Sequence, residues 1–187
     1  MGRLFLHVNV SLDGYVNDAE GQIDWHFADE EFQRYIDDLL NGIEGMVFGR
    51  VAFQELAAYW PNAGPEASAV QVRRMHELPK YVLSRTLQHT DWHNSHIIAG
   101  DPIAVISKMK QQSSGDIALF AGGGAASSAA SRGVIDEYRL VVNPVLLGGG
   151  TRLFDGPIPR TAMRLTGTRQ FAGGALLLTY EPTTPAE

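Results

Sequence analysis

Short apolar runs alternate with helix-patterned segments along the chain, and this alternation narrows the available folds more than any other feature. RLFLHVNV (3–10), GMVFG (45–49), KYVLS (80–84), SHIIAG (95–100) and IALFA (117–121) are apolar and often β-branched. Such runs read as strands buried on both faces. Segments with helical spacing lie between them. In DEEFQRYIDDLLNG (29–42), Phe32, Ile36, Leu39 and Leu40 share one face. Acidic residues 29–31 suit the positive helix start, and Asn41-Gly42 suits the stop. RVAFQELAAYW (50–60), ASAVQVRRMHEL (67–78) and PIAVISKMKQ (102–111) read as helices too, the last with proline in the favoured first turn. Strands separated by helices imply a largely parallel α/β sheet. EYRLVVNPVLL (137–147) reads as a further long strand, with Pro144 marking an edge or bulge. MRLTGTRQF and ALLLTYE, joined around Gly173-Gly174, read as a closing antiparallel hairpin. The expected fold is one α/β domain over residues 1–187 with a mostly parallel mixed sheet and a frayed tail at 183–187.

Composition excludes several chemistries. The chain has no cysteine, which removes disulfides, thiolate catalysis and cysteine-ligated zinc or iron–sulfur centres. A formal net charge of −6 argues against nucleic acid or an anionic membrane as the main partner. The first apolar run is broken by His7 and Asn9, unlike a signal peptide, and no run reaches the ~20 residues of a membrane span. A cytoplasmic protein acting on a small molecule is the expectation.

Gly122-Gly123-Gly124 follows the strand IALFA and opens a short run of small residues patterned as a helix. Strand, glycines, helix is how α/β proteins build a phosphate site, because glycine admits a phosphate to the main chain and the helix start offers free N–H groups. A P-loop does not fit, since no Gly-Lys-Ser/Thr follows. Gly122-x-Gly124-x-x-Ser127 approaches a Rossmann fingerprint but lacks an acidic residue about 20 positions on. The remaining version spreads the site over several strand ends. GMVFG runs into Arg50, KYVLS ends at Ser84-Arg85, and ligands of open α/β sheets bind at the carboxyl ends of strands. Two arginines beside a helix start suit a phosphorylated dinucleotide and favour NADP over NAD, with Arg50 expected at the 2′-phosphate.

The series HVNVSLDGYV, MVFGRVAFQ, KYVLSRTL, ALFAGGGA and VIDEYRLVVNPVLLGGGTRLF resembles the dihydrofolate-reductase-like fold. Within it, the series is most similar to the reductase domain of riboflavin biosynthesis and its stand-alone relatives. The resemblance runs in consistent order from about residue 3 to 181. It implies an NADPH-dependent reductase. Gly49 and Arg50 would meet the cofactor's phosphates, Ser84 and Arg85 would flank its adenosine end, and Gly122, Gly123, Gly124 and Ala125 would cradle the pyrophosphate. Asp13 would lie near the nicotinamide and handle the proton, and closure of the 11–22 loop would exclude water. Hydride would pass to a small polar heterocycle or a sugar-derived imine or carbonyl, as in 5-amino-6-(5-phosphoribosylamino)uracil reduction. The alternative is a non-catalytic NADP(H)-binding sensor or partner-binding module. Members of the fold are often dimers, so a homodimer is also expected.

The chain departs from the family pattern in places. Ala52 stands where the family often has threonine, and the acidic run 29–31 does not align with the carboxylate that holds a pterin, so folate is not expected as substrate. Gly148-Gly149-Gly150 reads as a bend or bulge rather than a second phosphate loop. His89, His93 and His96 would suit a metal on a helix but lie in a loop leading into a strand, so no metal is expected. Trp25, Tyr59 and Trp60 fit either the core or a stacking wall.

Overall fold

A single eight-stranded sheet organises the chain, with strand order β4-β3-β2-β5-β1-β6-β8-β7. The computed structural model describes residues 1–98 and 100–183. The strands are β1 (Leu4–Ser11), β2 (Ile43–Gly49), β3 (Lys80–Leu83), β4 (Ser95–Ile98), β5 (Asp116–Phe120), β6 (Glu137–Asn143), β7 (Met163–Gln170) and β8 (Leu176–Pro182). The helices are α1 (Glu30–Asn41), α2 (Arg50–Tyr59), α3 (Ala69–Glu77), α4 (Pro102–Gln112) and α5 (Gly123–Ser131). β1 to β6 pair in parallel, whereas β8 pairs antiparallel with both β6 and β7. The sheet is thus mixed and mostly parallel, as the alternating pattern requires.

The continuous apolar runs are buried on both faces. On β1, Leu4 and Leu6 enter a cluster with Ile106 of α4 and Ala126 and Ala129 of α5. Phe5 points the other way, into a cluster with Leu39 and Leu40 of α1, Phe53 of α2 and Met75 of α3. Met46 and Phe48 follow Phe5, while Val47 follows Leu4 and Leu6. This is the period-two alternation of a strand covered by helices on each side.

One expectation needs correction. β6 stops at Asn143, not at residue 147. It lies inside the sheet between β1 and β8, where Pro144, with no N–H, cannot continue the ladder. The chain then turns back, and Val145 O accepts from Leu12 N at 2.9 Å. The aromatic residues also separate: Trp60 packs beside the core, Tyr59 is 46% exposed and Trp25 lies edge-on against His26. Of the tail expected to fray, Thr183 is tied by its N–H to Ala162 O, and 184–187 lie outside the described residues.

Candidate active site

The parallel pairing aligns the carboxyl ends of β1, β5, β2 and β3, and the glycines and arginines singled out above gather there. A cleft of about 490 Å³ is lined by Arg50, Ala52, Glu55 and Leu56 of α2 and by the segment from Phe120 to Ala125. His7, Asn9, Val16, Ile23 and His26 complete its walls. A neighbouring cleft of about 520 Å³ is lined by Ser84, Arg85, Asp101, Ser128 and Arg132. The two share Leu83, Gly124 and Ala125, so they meet at the start of α5.

Helix capping separates these elements from the rest of the fold. α1, α3 and α4 each begin with a side chain that accepts from a first-turn N–H: Asp29, Ser68 and Asp101. α2 and α5 begin at Gly49 and Gly122, with no side-chain cap and no acidic residue in the first turn. Their first N–H groups therefore look for an acceptor outside the helix. The two starts are in contact, because a Cβ on Gly49 would lie 3.1 Å from that of Ala125. Two uncapped positive helix ends meeting at one cleft make a receptor for an anion.

Each glycine of the triplet has a separate job. A side chain on Gly122 would collide with Val16 at 2.7 Å. Gly123 has φ +54, and its Cβ would meet Thr151 at 2.8 Å. At Gly124 a Cβ would meet nothing within 4 Å, and this residue faces both clefts. The first two glycines let the chain make the turn, and the third leaves open space.

Among the described residues Arg50, Arg85 and Arg132 have no carboxylate partner. Arg50 donates to Gln54 at 2.7 Å. Ser84 Oγ accepts from Thr86 N and Leu87 N, so its hydroxyl shapes the turn that presents Arg85. Arg132 was not anticipated. The signal for it was the spacing of Ala125, Ser128 and Ala129 on one face of α5, which Arg132 continues at the C-cap.

Asp13 is placed elsewhere. It does not line either cleft. Its carboxylate accepts from Ser11 Oγ at 2.6 Å, Gly148 N at 2.8 Å and Leu147 N at 3.1 Å. The Ser11 and Gly148 bonds favour the ionised form and hold its pKa down to about 2. Asp13 is therefore an anchor for the glycine bend, not a proton donor at the cleft. The bend answers in kind: Val16 N donates to Thr151 O, Thr151 N to Asn17 Oδ1, and Leu153 N to Gly14 O. Gly150 has φ +116, and a Cβ there would fall 2.0 Å from Asn17 O. These bonds tie residues 12–17 to the glycine bend at 147–153.

Other acidic and histidine candidates are accounted for. Asp29 caps α1 and accepts from Gly173 N at 2.6 Å, and Glu31 pairs with Arg169. Neither reaches the cleft. His89 meets Asp91, His93 stacks on His76 and His96 on Tyr81, so the three do not converge. Residues that sequence reasoning missed are His7 and His26. His7 is 5% exposed, and burial lowers its pKa to about 3. Burial also lowers His26 to about 4. Both are neutral imidazoles near pH 7. A lone histidine in an apolar strand carries no local sign of facing a cavity.

The family model of the RibD C-terminal domain matches residues 3–177. The chain belongs to that family. This RibD C-terminal domain is 32% identical to YyaP of Bacillus subtilis, an uncharacterized protein, over 95% of this chain and 94% of that one. Its fold is similar to that of a protein of Shewanella sp. PV-4 assigned to riboflavin biosynthesis (TM-score 0.76, 21% identity, 97% of this chain and 99% of that one). It is also similar to dihydrofolate reductase from Enterococcus faecalis complexed with NADP(H) (TM-score 0.63, 12% identity, 98% of each chain). Among the described residues no helix is long and apolar enough to cross a membrane.

Proposed function

We propose that this RibD C-terminal domain is an NADPH-dependent reductase of a small polar heterocycle or a sugar-derived imine or carbonyl. The observation that carries the reading is the meeting of the two uncapped helix starts, α2 and α5, between clefts lined by unpaired arginines. A dinucleotide needs an anion cradle at its middle and a pocket on each side. The open space at Gly124 and the free N–H groups of α5 fit the pyrophosphate, with Arg50 beside them. Arg85 and Arg132 line the second cleft, so the adenosine end and its 2′-phosphate belong there. This assigns Arg50 to a phosphate that NADH also carries and moves discrimination for NADPH to Arg85 and Arg132. The E. faecalis dihydrofolate reductase binds NADP(H) on the same fold.

Bound NADPH supplies a hydride; the chain supplies position, electrostatics and a walled cleft. Asp13 holds the wall, and Glu55 is the cleft's carboxyl, its pKa raised by burial.

Gly124→Ala separates folding from binding. The substitution meets no atom, and alanine stabilises a helix by about 0.5–1 kcal/mol over glycine. Thermal stability is expected to hold or rise, while the methyl occupies the cradle and weakens NADPH about 10-fold or more. Thermal melts and calorimetric titration of the same preparation check both arms.

The reductase reading is tested by mixing the protein and NADPH with a panel of cyclic imines and carbonyls and following NADPH absorbance. Oxidation dependent on one compound class supports it. Tight NADPH binding with no oxidation across the panel favours the non-catalytic sensor instead.

A further inference from the structure

We propose that His7 and His26 form the substrate-recognition edge of the first cleft, and that they select an uncharged, planar, lactam-type heterocycle without phosphate or carboxylate. The inference rests on the reductase reading and specifies its substrate class. Both histidines line the cleft, and the Nε2 atom of each is buried without a hydrogen-bond partner. His7 is 5% exposed and held between Tyr35 and Phe120, with ring centroids 5.7 Å away in each case. It cannot swing out to water. An orphaned polar atom inside a protein costs stability unless something pairs with it. Both rings line the cleft, so a ligand seated there that displaces the groups covering them is the partner their ring nitrogens can reach.

The chemistry of the partner follows from the charge of the wall. Both imidazoles are neutral, so each ring has one N–H donor and one acceptor nitrogen. Lactam edges, with adjacent N–H and C=O groups, match that pattern. Asn9 stands on the same strand as His7 and also lines the cleft; its Oδ1 already accepts from Asn143, which leaves its N–H donors to face a carbonyl. Val16, Ile23, Leu56 and Phe120 supply apolar surface for a flat ring. Arg50 is the lining cation, and it lies on α2 beside the glycine cradle, where the cofactor's phosphate needs it. Glu55 is the lining carboxylate and repels anions. An anionic group on the substrate would therefore be buried without a counter-charge. This distinguishes the site from one built for a phosphoribosyl substrate.

Two matched pairs test the proposal: uracil with orotate, and quinazolin-4-one with its 6-carboxylate. Each is titrated calorimetrically into wild-type protein saturated with NADP⁺. The uncharged member of each pair is expected to bind about 10-fold or more tightly than its carboxylate. His7→Phe keeps the ring packing and removes the hydrogen bond. It is expected to weaken the uncharged compounds about 5- to 10-fold and to leave NADP⁺ affinity within about 2-fold. His26→Leu, on the loop, gives a second variant if His7→Phe folds poorly. Equal or tighter binding of the carboxylates overturns the proposal, as does unchanged affinity in both variants or failure of both uncharged compounds to bind. If the protein does not bind NADP⁺, the cofactor reading fails, and the same pairs titrated into cofactor-free protein still decide this one.

Discussion

Replacing Arg85 and Arg132 together with alanine is expected to weaken NADPH binding about 100- to 1,000-fold while moving NADH affinity by less than about 3-fold. The size comes from two charge-assisted contacts at about 1.5–3 kcal/mol each, reduced because both side chains are exposed. The selectivity comes from placement. Both arginines line the cleft that runs along α5 from Gly124 to Arg132, away from the residues around Arg50. NADH lacks the 2′-phosphate and has nothing there to lose. Arg50→Ala is the internal contrast, since a pyrophosphate contact weakens both cofactors alike. Titrations of the two cofactors against the three proteins give the answer. Parallel losses for NADPH and NADH in the double variant would move the 2′-phosphate elsewhere.

Acid is expected to destabilise the protein well before its carboxylates titrate. His7 has a folded pKa of about 3 because it is buried, with the charges of Arg139 and His26 acting in the same direction. Its unfolded value is near 6.5. As pH falls through 6.5, the unfolded chain takes up a proton that the folded protein refuses, so stability falls and goes on falling until about pH 3. By pH 4.5 the loss from His7 alone is about 2–3 kcal/mol, with a comparable share from His26. Asp13 and Glu44 act in the same sense but later. Hydrogen bonds hold each near pKa 2, so their stabilisation is present above the ordinary carboxylate values and is lost as pH falls from there to about 2. Urea unfolding at several pH values between 7 and 4.5 measures the slope. In His7→Phe about half of that slope should disappear, and a wild-type stability flat over this window would show that His7 is not buried as described.

Much of the fold was legible because it rests on local patterns. Leu4 to Leu6 and Met46 to Phe48 are apolar without a break, which only a strand covered on both faces requires. Asp29 and Pro102 mark helix starts by their own chemistry. The gathering of Arg50, Arg85 and Gly122 to Gly124 at two joined clefts was legible for a similar reason: glycine and arginine stand directly at strand ends, so knowing the strands places them. The other half depends on contacts between segments far apart in the chain. The family resemblance implies a place for Asp13 near the cleft, but its partners are Leu147 and Gly148, more than 130 residues away. His7 reads as one letter in an apolar strand, and its orphaned nitrogen exists only once α1, β5 and the 16–26 loop close around it. Pro144 read as an edge or bulge within a strand reaching residue 147, whereas it stands just beyond the end of an interior strand, a place that depends on β8 arriving from the end of the chain.

The central claim is that the joined clefts are built for a 2′-phosphorylated dinucleotide. The most direct test is calorimetric titration of the unaltered protein with NADPH and with NADH at low salt. Saturable binding of one NADPH per chain, at least about 10-fold tighter than NADH, is the predicted result. Equal affinity for the two, or no binding of either, would contradict it.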